Sequence, residues 1–384
     1  MRFIALLAAL SMGLAAPAAA QDSTLAAGFW KRSAERLGFK HAGISAPLRA
    51  GTAEFFEAKE LSHPGEGLDT VLLYRTADQE ILASLYVYYP SVGHTGIQAI
   101  STDEAIRTSS LSRSPVPVRA LGVKVVAAGD VQSAAVTADY EGYLGSRFSK
   151  AAFVKAGRWM IKLRVTGPQA RASEVDGVMA GLLSGMRFQG DAKPRPATPI
   201  AAADCPSASR PDARLLPDGD ANVTGALIGT FDAAGGVTEI AKGSSLTVPP
   251  RIGRDWCRST LEIGPNRIPV LEATDRNAPV DKAAGKSMLF VLFSDAGGMF
   301  EVVKLKDKER YLVLAHMVGE AKVLGAYDGV PSPAQLRELF RTDGEPARIR
   351  AGVTLKPNGD AEVNFPEAPA KETAAASGPA LQGR

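Results

Sequence analysis

Residues 190–204 (GDAKPRPATPIAAAD) divide this chain in two. Pro194, Pro196 and Pro199 stand there among small residues, with no hydrophobic period on either side of them. Proline fixes its own φ, lacks the N–H that a helix or ladder needs, and restricts the residue before it, so no helix or central strand runs through. The segment 191–202 therefore reads as a semi-rigid linker between a unit at 22–190 and a second at 203–365. The length of 384 residues, 45% of them hydrophobic and 22% charged, supports two globular units with real cores.

The two ends read differently. Met1-Arg2, the uncharged run Phe3–Ala16 and Ala18-Ala19-Ala20 before Gln21 have the order of a Sec-type signal peptide, cleaved between Ala20 and Gln21. No cysteine lies beside that point, so a lipid anchor is not expected. The alanine-rich style is bacterial, which predicts a soluble product in the periplasm or secreted. Residues 366–384, rich in Ala and Pro, are expected to be disordered. The formal net charge of +3 comes without a basic block, which disfavours nucleic acid as a partner. The longest later apolar run, Met288–Phe293, is strand-sized, so the mature chain should have no membrane span. An even pair of cysteines in an oxidising compartment, Cys205 and Cys257, reads as one disulfide. Neither has the C-x-x-C spacing or neighbouring His of a catalytic or metal-binding thiol.

The first unit reads as α+β. An opening helix capped by Asp22 or Ser23 would carry Leu25, Phe29, Trp30 and Leu37. Strand patterns follow at 70–75, 80–89, 121–127, 132–140 and 158–166, with a short helix at 102–109. After Pro168, Val175, Val178, Met179, Leu182, Leu183 and Met186 recur at helical spacing. Apolar residues on both faces of 80–89 suggest a sheet covered on both sides, hence an antiparallel sheet flanked by helices. The run Leu85-Tyr86-Val87-Tyr88-Tyr89-Pro90 and the strand Trp159-Met160-Ile161-Lys162-Leu163-Arg164 leading into a helix resemble the PsbP-like α+β domain. That resemblance covers residues 22–190 and implies a binding or assembly module. The whole chain is also similar to uncharacterised secreted proteins of Alphaproteobacteria, a similarity that implies no function.

The second unit reads as mostly β. Three segments, 231–240, 293–302 and 355–363, share a glycine turn followed by an alternating strand. They fit either an internal duplication or repeated use of the same turn chemistry. Ser332-Pro333 opens a C-terminal helix to Arg341, with Leu336, Leu339 and Phe340 inward.

Few motifs in the chain carry chemistry. The nucleophile elbow G-x-S-x-G, S-x-x-K and H-E-x-x-H are absent. His41, His63, His94 and His316 match no ligand spacing. The stretch 280–287 resembles a phosphate loop, but Val280 replaces its first glycine and a strand, rather than a helix, follows. Asp218, Asp220 and Asn222 have the oxygen spacing of a calcium loop without its glycine and glutamate. Asn222-Val-Thr224 is a glycosylation sequon, relevant only in a glycosylating host. Arg158, Lys162 and Arg164 share a strand face that either meets an acidic ligand or partner, or is solvated or paired with acidic residues. Tyr86, Tyr88 and Tyr89 line a groove or belong to core and rim. No catalytic, cofactor or metal residues are assigned. The sequence predicts a non-catalytic binding or envelope-assembly module whose partner is an envelope protein or glycan. The alternative is a secreted hydrolase whose carboxylates converge only in the fold.

Overall fold

The computed structural model describes residues 28–62, 65–111, 117–206, 210–217, 256–264, 266–274, 286–305, 309–340, 351–358 and 360–364. The proposed signal peptide, the calcium-like loop, the sequon, His63, the segment 231–240 and the tail lie outside the described residues.

The chain begins with β1 (Trp30–Arg32), β2 (Arg36–Phe39) and β3 (Ile44–Pro47), then β4 (Arg49–Ala50), β5 (Ala53–Glu60), β6 (Asp69–Arg75) and β7 (Leu82–Tyr88). Helix α1 (Thr95–Leu111) follows, then β8 (Arg119–Ala128), β9 (Val131–Tyr143), β10 (Arg147–Ala156) and β11 (Trp159–Pro168). Helix α2 (Ala172–Gly185) and β12 (Arg187–Phe188) close this half. The rest contains β13 (Ala202–Asp204), β14 (Trp256–Ile263), β15 (Asn266–Ala273), β16 (Lys286–Leu292), β17 (Met299–Lys304), β18 (Tyr311–Met317) and β19 (Glu320–Tyr327). Helix α3 (Pro333–Glu338), β20 (Ala351–Leu355) and β21 (Ala361–Asn364) are the last of the described elements.

These strands form a four-stranded sheet (β1-β2-β3-β12), an eight-stranded sheet (β4-β5-β6-β7-β11-β10-β9-β8) and a nine-stranded sheet running in order from β13 to β21. Among the described strands, only the β13–β14 pairing is parallel. The expected α+β class, an antiparallel sheet flanked by helices, is therefore corrected: the protein is mostly β, with few helices.

The expected opening helix shows why. Its described part is the hairpin β1–β2, in which Leu37 and Phe39 are buried on alternate positions. Tertiary contacts decide that outcome. Phe39 meets Trp30 and stands edge-on to Trp159, and the Trp30 indole donates to Thr70 Oγ1 at 3.2 Å. Helix α2 follows its spacing, burying Val175, Val178, Met179, Leu182 and Leu183 against the eight-stranded sheet. The Ser332 hydroxyl accepts from the Gln335 N–H, and the Gln335 side chain accepts from the Ser332 N–H, a reciprocal cap that starts α3.

Helix α1 sits between the two large sheets. It packs on β9 and β10 on one side and on β15 on the other. Ala99 and Ile106 join a cluster with Val136, Tyr140 and Phe153, whereas Ile97 joins one with Trp256, Leu271 and Phe290. A third contact fuses the halves directly. Pro90, just after β7, bridges Val318 in the β18–β19 turn, and the Gly319 N–H donates to the Tyr89 carbonyl at 3.0 Å. Gly319 has φ +71°, and a Cβ there would stand 2.6 Å from Leu68 Cδ1, so this close turn requires glycine. Leu68, Leu85 and Trp159 share one buried cluster with Val303, Leu312, Leu314 and Val353.

Cys205 and Cys257 form a disulfide with Cα atoms 4.7 Å apart, clamping the end of β13 to β14. The sequence separation of 52 means the bond closes a long loop. Replacing both cysteines with serine should lower unfolding free energy by up to about 4 kcal/mol, through the restored entropy of the open chain. Urea midpoints for the two proteins test this, and coincident midpoints would show that the bond is dispensable.

Candidate functional site

Three polar groupings lie where the two large sheets meet. The deepest is a chain of four side chains. Ser91 Oγ lies 2.8 Å from His316 Nδ1, and His316 Nε2 lies 2.9 Å from Glu301 Oε2. The Ser287 hydroxyl donates to Glu301 Oε1. Ser287, Glu301 and His316 stand on the adjacent strands β16, β17 and β18, while Ser91 arrives from the loop after β7. An Nε2–H tautomer satisfies the whole chain: the carboxylate accepts from Ser287 and the imidazole, and Nδ1 accepts from Ser91. Serine, histidine and glutamate within hydrogen-bond reach are the components of a nucleophilic triad. Two features oppose that use. The serine is on Nδ1 and the acid on Nε2, the reverse of the serine-protease arrangement. The exposures are 0% for Ser91 and His316, 1% for Ser287 and 2% for Glu301, so a substrate carbonyl has no approach to the hydroxyl.

The second grouping surrounds Lys162. Its ammonium donates to Asp295 Oδ2 at 2.9 Å and to the Asp295 carbonyl at 3.0 Å, and lies 4.5 Å from the centre of the Tyr86 ring. Lys162 is buried, so this member of the predicted basic face is turned onto a carboxylate of the other half. The other two go elsewhere. Arg164 lies over the Tyr143 ring at 4.4 Å, and half-buried Arg158 offers its carbonyl to the Lys155 ammonium at 2.9 Å. Tyr88 and Tyr89 are buried in the core, and the Tyr88 hydroxyl donates to Gln98 Oε1 at 2.9 Å.

Asp69 of β6 is also buried here, and its Oδ1 has no hydrogen-bond partner. Burial pushes its carboxyl up to about 7; Lys162 opposes this shift and Asp295 adds to it. Asp295 is held below the usual carboxylate range, chiefly by the Lys162 charge. Two carboxyl groups driven apart in this way are the pattern from which acid–base pairs are built. Nearby, burial lowers Lys155 to about 7, with Arg195 and Arg158 adding to the effect. His94 is lowered to about 4 by burial. Its Nδ1 accepts from the N–H groups of Gly96 and Ile97, so it caps α1. Among the described residues no group of three His, Cys, Asp or Glu side chains could hold a metal ion.

The third grouping opens to solvent. A cleft of about 210 Å³ lies between α1, the strands β8 and β9, and residues 199–202. Ala99, Ile100, Val123, Val136 and Ile200 give it apolar walls. Asp103 lies in it, accepting from Arg107 Nε at 3.0 Å and from Arg258 Nη1 at 3.0 Å. Arg258 Nη2 also donates to Glu104 Oε2 at 2.6 Å, tying β14 to α1. Two guanidinium groups beside an apolar hollow can orient a ligand with a polar end and an apolar body. Neither Asp69 nor Asp295 borders this cleft.

Sequence reasoning named Lys162 and weighed Tyr86, Tyr88, His94 and His316 one by one, but it brought none of them together and missed the other members of these groupings. A usable signal existed: Glu301 and His316 interrupt the otherwise apolar strands MFEVVK and YLVLAHM at inward positions. A buried polar residue needs a buried partner. Which partner it finds depends on contacts across 225 residues of sequence, as for Ser91 and His316.

No family model matches this chain, and no curated protein matches it. A crystal structure from Bacteroides thetaiotaomicron VPI-5482 aligns with 61% of this chain and 84% of its own, at 11% identity and a TM-score of 0.24. A likeness that low carries no argument about fold or function.

The raised carboxyl of Asp69 gives a signed pH prediction. Its proton is retained in the folded state and lost in the unfolded state between about pH 4 and pH 7, so its contribution to stability falls as pH rises through that window. Asp69→Asn, which mimics the protonated form, should match the wild type near pH 4. At pH 8 it should be more stable by up to about 4 kcal/mol. Denaturant melts across that range test this, and a pH-independent difference would contradict it.

Proposed function

We propose that this protein is an extracytoplasmic, non-catalytic binding or assembly module that engages a partner through the cleft between α1, β8 and β9. The observation that carries the reading is the cleft itself, an open apolar hollow with Arg107 and Arg258 converging on Asp103. Its partner is an envelope protein or glycan with an apolar portion and a polar end that meets the guanidinium groups. The placement outside the cytoplasm draws on the leader-like first twenty residues and on the disulfide, which persists in oxidising compartments. No helix among the described residues is long and apolar enough to cross a membrane, which is compatible with that placement.

One observation favours a second reading, a secreted hydrolase. Asp69, raised to about 7, and Asp295, lowered, lie near one another with Lys162 between them in charge terms. Against it, Asp69 is 8% exposed, and the open cleft does not reach it.

Affinity capture from an envelope extract separates the two. The wild type should retain a specific protein or glycan, and Arg107→Glu, a change on the helix surface, should weaken retention by roughly tenfold or more through charge reversal. Equal retention would remove the cleft from the account. Turnover of chromogenic glycosides, esters or peptides by the wild type, lost in Asp69→Asn, would establish the hydrolase instead.

A further inference from the structure

We propose that the cleft between α1, β8 and β9 captures the free C-terminus of a partner protein, gripping the terminal carboxylate with Arg107. This rests on the reading of the cleft as the partner site. It narrows the partner to a protein with aliphatic residues at its last and third-from-last positions.

Arg107 presents its far end to the cleft. Its Nε donates to Asp103 Oδ1 and Oδ2, both at 3.0 Å, which fixes the plane of the guanidinium. The side chain is 40% exposed and borders the cleft, and neither terminal nitrogen has a hydrogen-bond partner among the described residues. Arg258 differs, because Asp103 occupies its Nη1 and Glu104 its Nη2. The donors left over at the rim are therefore one planar pair, and such a pair matches the two oxygens of a carboxylate. A phosphate dianion would bring a second negative charge toward Asp103 and Glu104, with no further cation among the lining residues to meet it.

The walls select the body of the ligand. Ala99, Ile100, Val123, Val136 and Ile200 are aliphatic, and the one ring among the lining residues, Tyr140, is 1% exposed. A glycan would set hydroxyl groups against these walls without hydrogen-bond partners, which is unfavourable. The volume of about 210 Å³ holds about seven carbon-sized groups at roughly 30 Å³ each. A leucine and a valine side chain together contain about that number. In an extended peptide, side chains two positions apart share a face and enter together. One side of the cleft is open, since Ala120, Gly122 and Val123 are exposed. A free alkyl chain would stay half wet there, whereas side chains entering from a backbone outside are covered by that backbone. The opposite wall is already in place. The Thr198 N–H donates to Thr95 Oγ1 at 3.2 Å, and a Cβ on Gly96 would stand 2.7 Å from the Thr198 carbonyl oxygen. A site formed in advance loses little to ordering when it binds.

Fluorescence anisotropy with dye-labelled synthetic peptides ending in Val-Ser-Leu tests the proposal. The free-acid peptide should bind with a dissociation constant in roughly the micromolar range, and its C-terminal amide about tenfold or more weakly. Replacing the terminal leucine with alanine should weaken binding by roughly tenfold or more. Arg107→Gln should bind acid and amide alike. Val123→Ser, a change in the exposed wall, should weaken both and keep their ratio. Both side chains reach solvent, so both variants should melt like the wild type. Equal binding of acid and amide by the wild type, or no binding of the acid at about 1 mM, would overturn the proposal. If envelope capture still depended on Arg107 in that case, the cleft would remain the partner site for another ligand. Labelled decanoate or an N-acetylglucosamine oligomer bound in place of the peptide would identify that ligand as a lipid or a glycan. Envelope capture unaffected by Arg107→Glu would instead remove the cleft reading itself.

Discussion

The chain Ser91–His316–Glu301–Ser287 is the interaction on which the joining of the halves most depends. A carboxylate at 2% exposure is tolerable because Ser287 and His316 both donate to it, and His316 is tolerable because Glu301 and Ser91 occupy both of its nitrogens. Removing any inner member leaves a buried polar group unpaired, a loss usually larger than the net gain from forming the bond. The chain crosses from the loop after β7 into the centre of the nine-stranded sheet, so it also fixes how one half seats on the other. The Pro90–Val318 bridge, the Gly319 contact and the Lys162–Asp295 ion pair surround it. A grouping that resembles a hydrolytic triad in composition thus serves as a polar pin.

The pin and the wedge of α1 between the sheets determine where function can sit. The Ser91–His316–Glu301–Ser287 chain at the centre of the junction is paired and closed to solvent, whereas Asp69 Oδ1 is buried there without a hydrogen-bond partner. At its rim, where α1 runs out over β9, the same junction opens into a cleft with guanidinium groups at its edge. Asp69 and Lys155, both shifted to about 7, show the cost of this burial: each holds a neutral form that water would not favour. Structural ion-pair networks perturb pKa values as active sites do. The accessible geometry therefore points to the cleft and not to the most shifted groups.

How much of this was legible in the sequence differs by element. The α2 spacing, the Ser332 cap and the alternation of β11 were readable because each depends on one face and local contacts. Helix α1 was readable only over 102–109, because it is buried on two sides: Ile97 faces one sheet, and Ala99 and Ile106 the other. A helix with two apolar sides has no single stripe to detect. Strand β10 (RFSKAAFVKA) hid in alanine and lysine, and the first hairpin carried helix-like spacing until Phe39 and Trp159 drew Trp30 into a strand. In the site, Lys162 was found as part of a basic face, but its partner Asp295 comes from 133 residues away. Pairings of that span are set by the fold and leave no mark in local pattern.

The central claim is that the two sheets unfold as one body pinned at this junction. The tryptophans allow a direct measurement, because Trp30 and Trp159 lie in the first half and Trp256 in the second. Guanidinium unfolding is followed by fluorescence in Trp256→Phe, which reports the first half, and in Trp30→Phe/Trp159→Phe, which reports the second. Each midpoint is referenced to that variant's own circular dichroism transition. A pinned junction predicts that fluorescence and dichroism coincide in both proteins, as in a single cooperative transition. A fluorescence midpoint that departs from the dichroism transition in either protein would show that the halves unfold separately and that the buried chain does not hold them together.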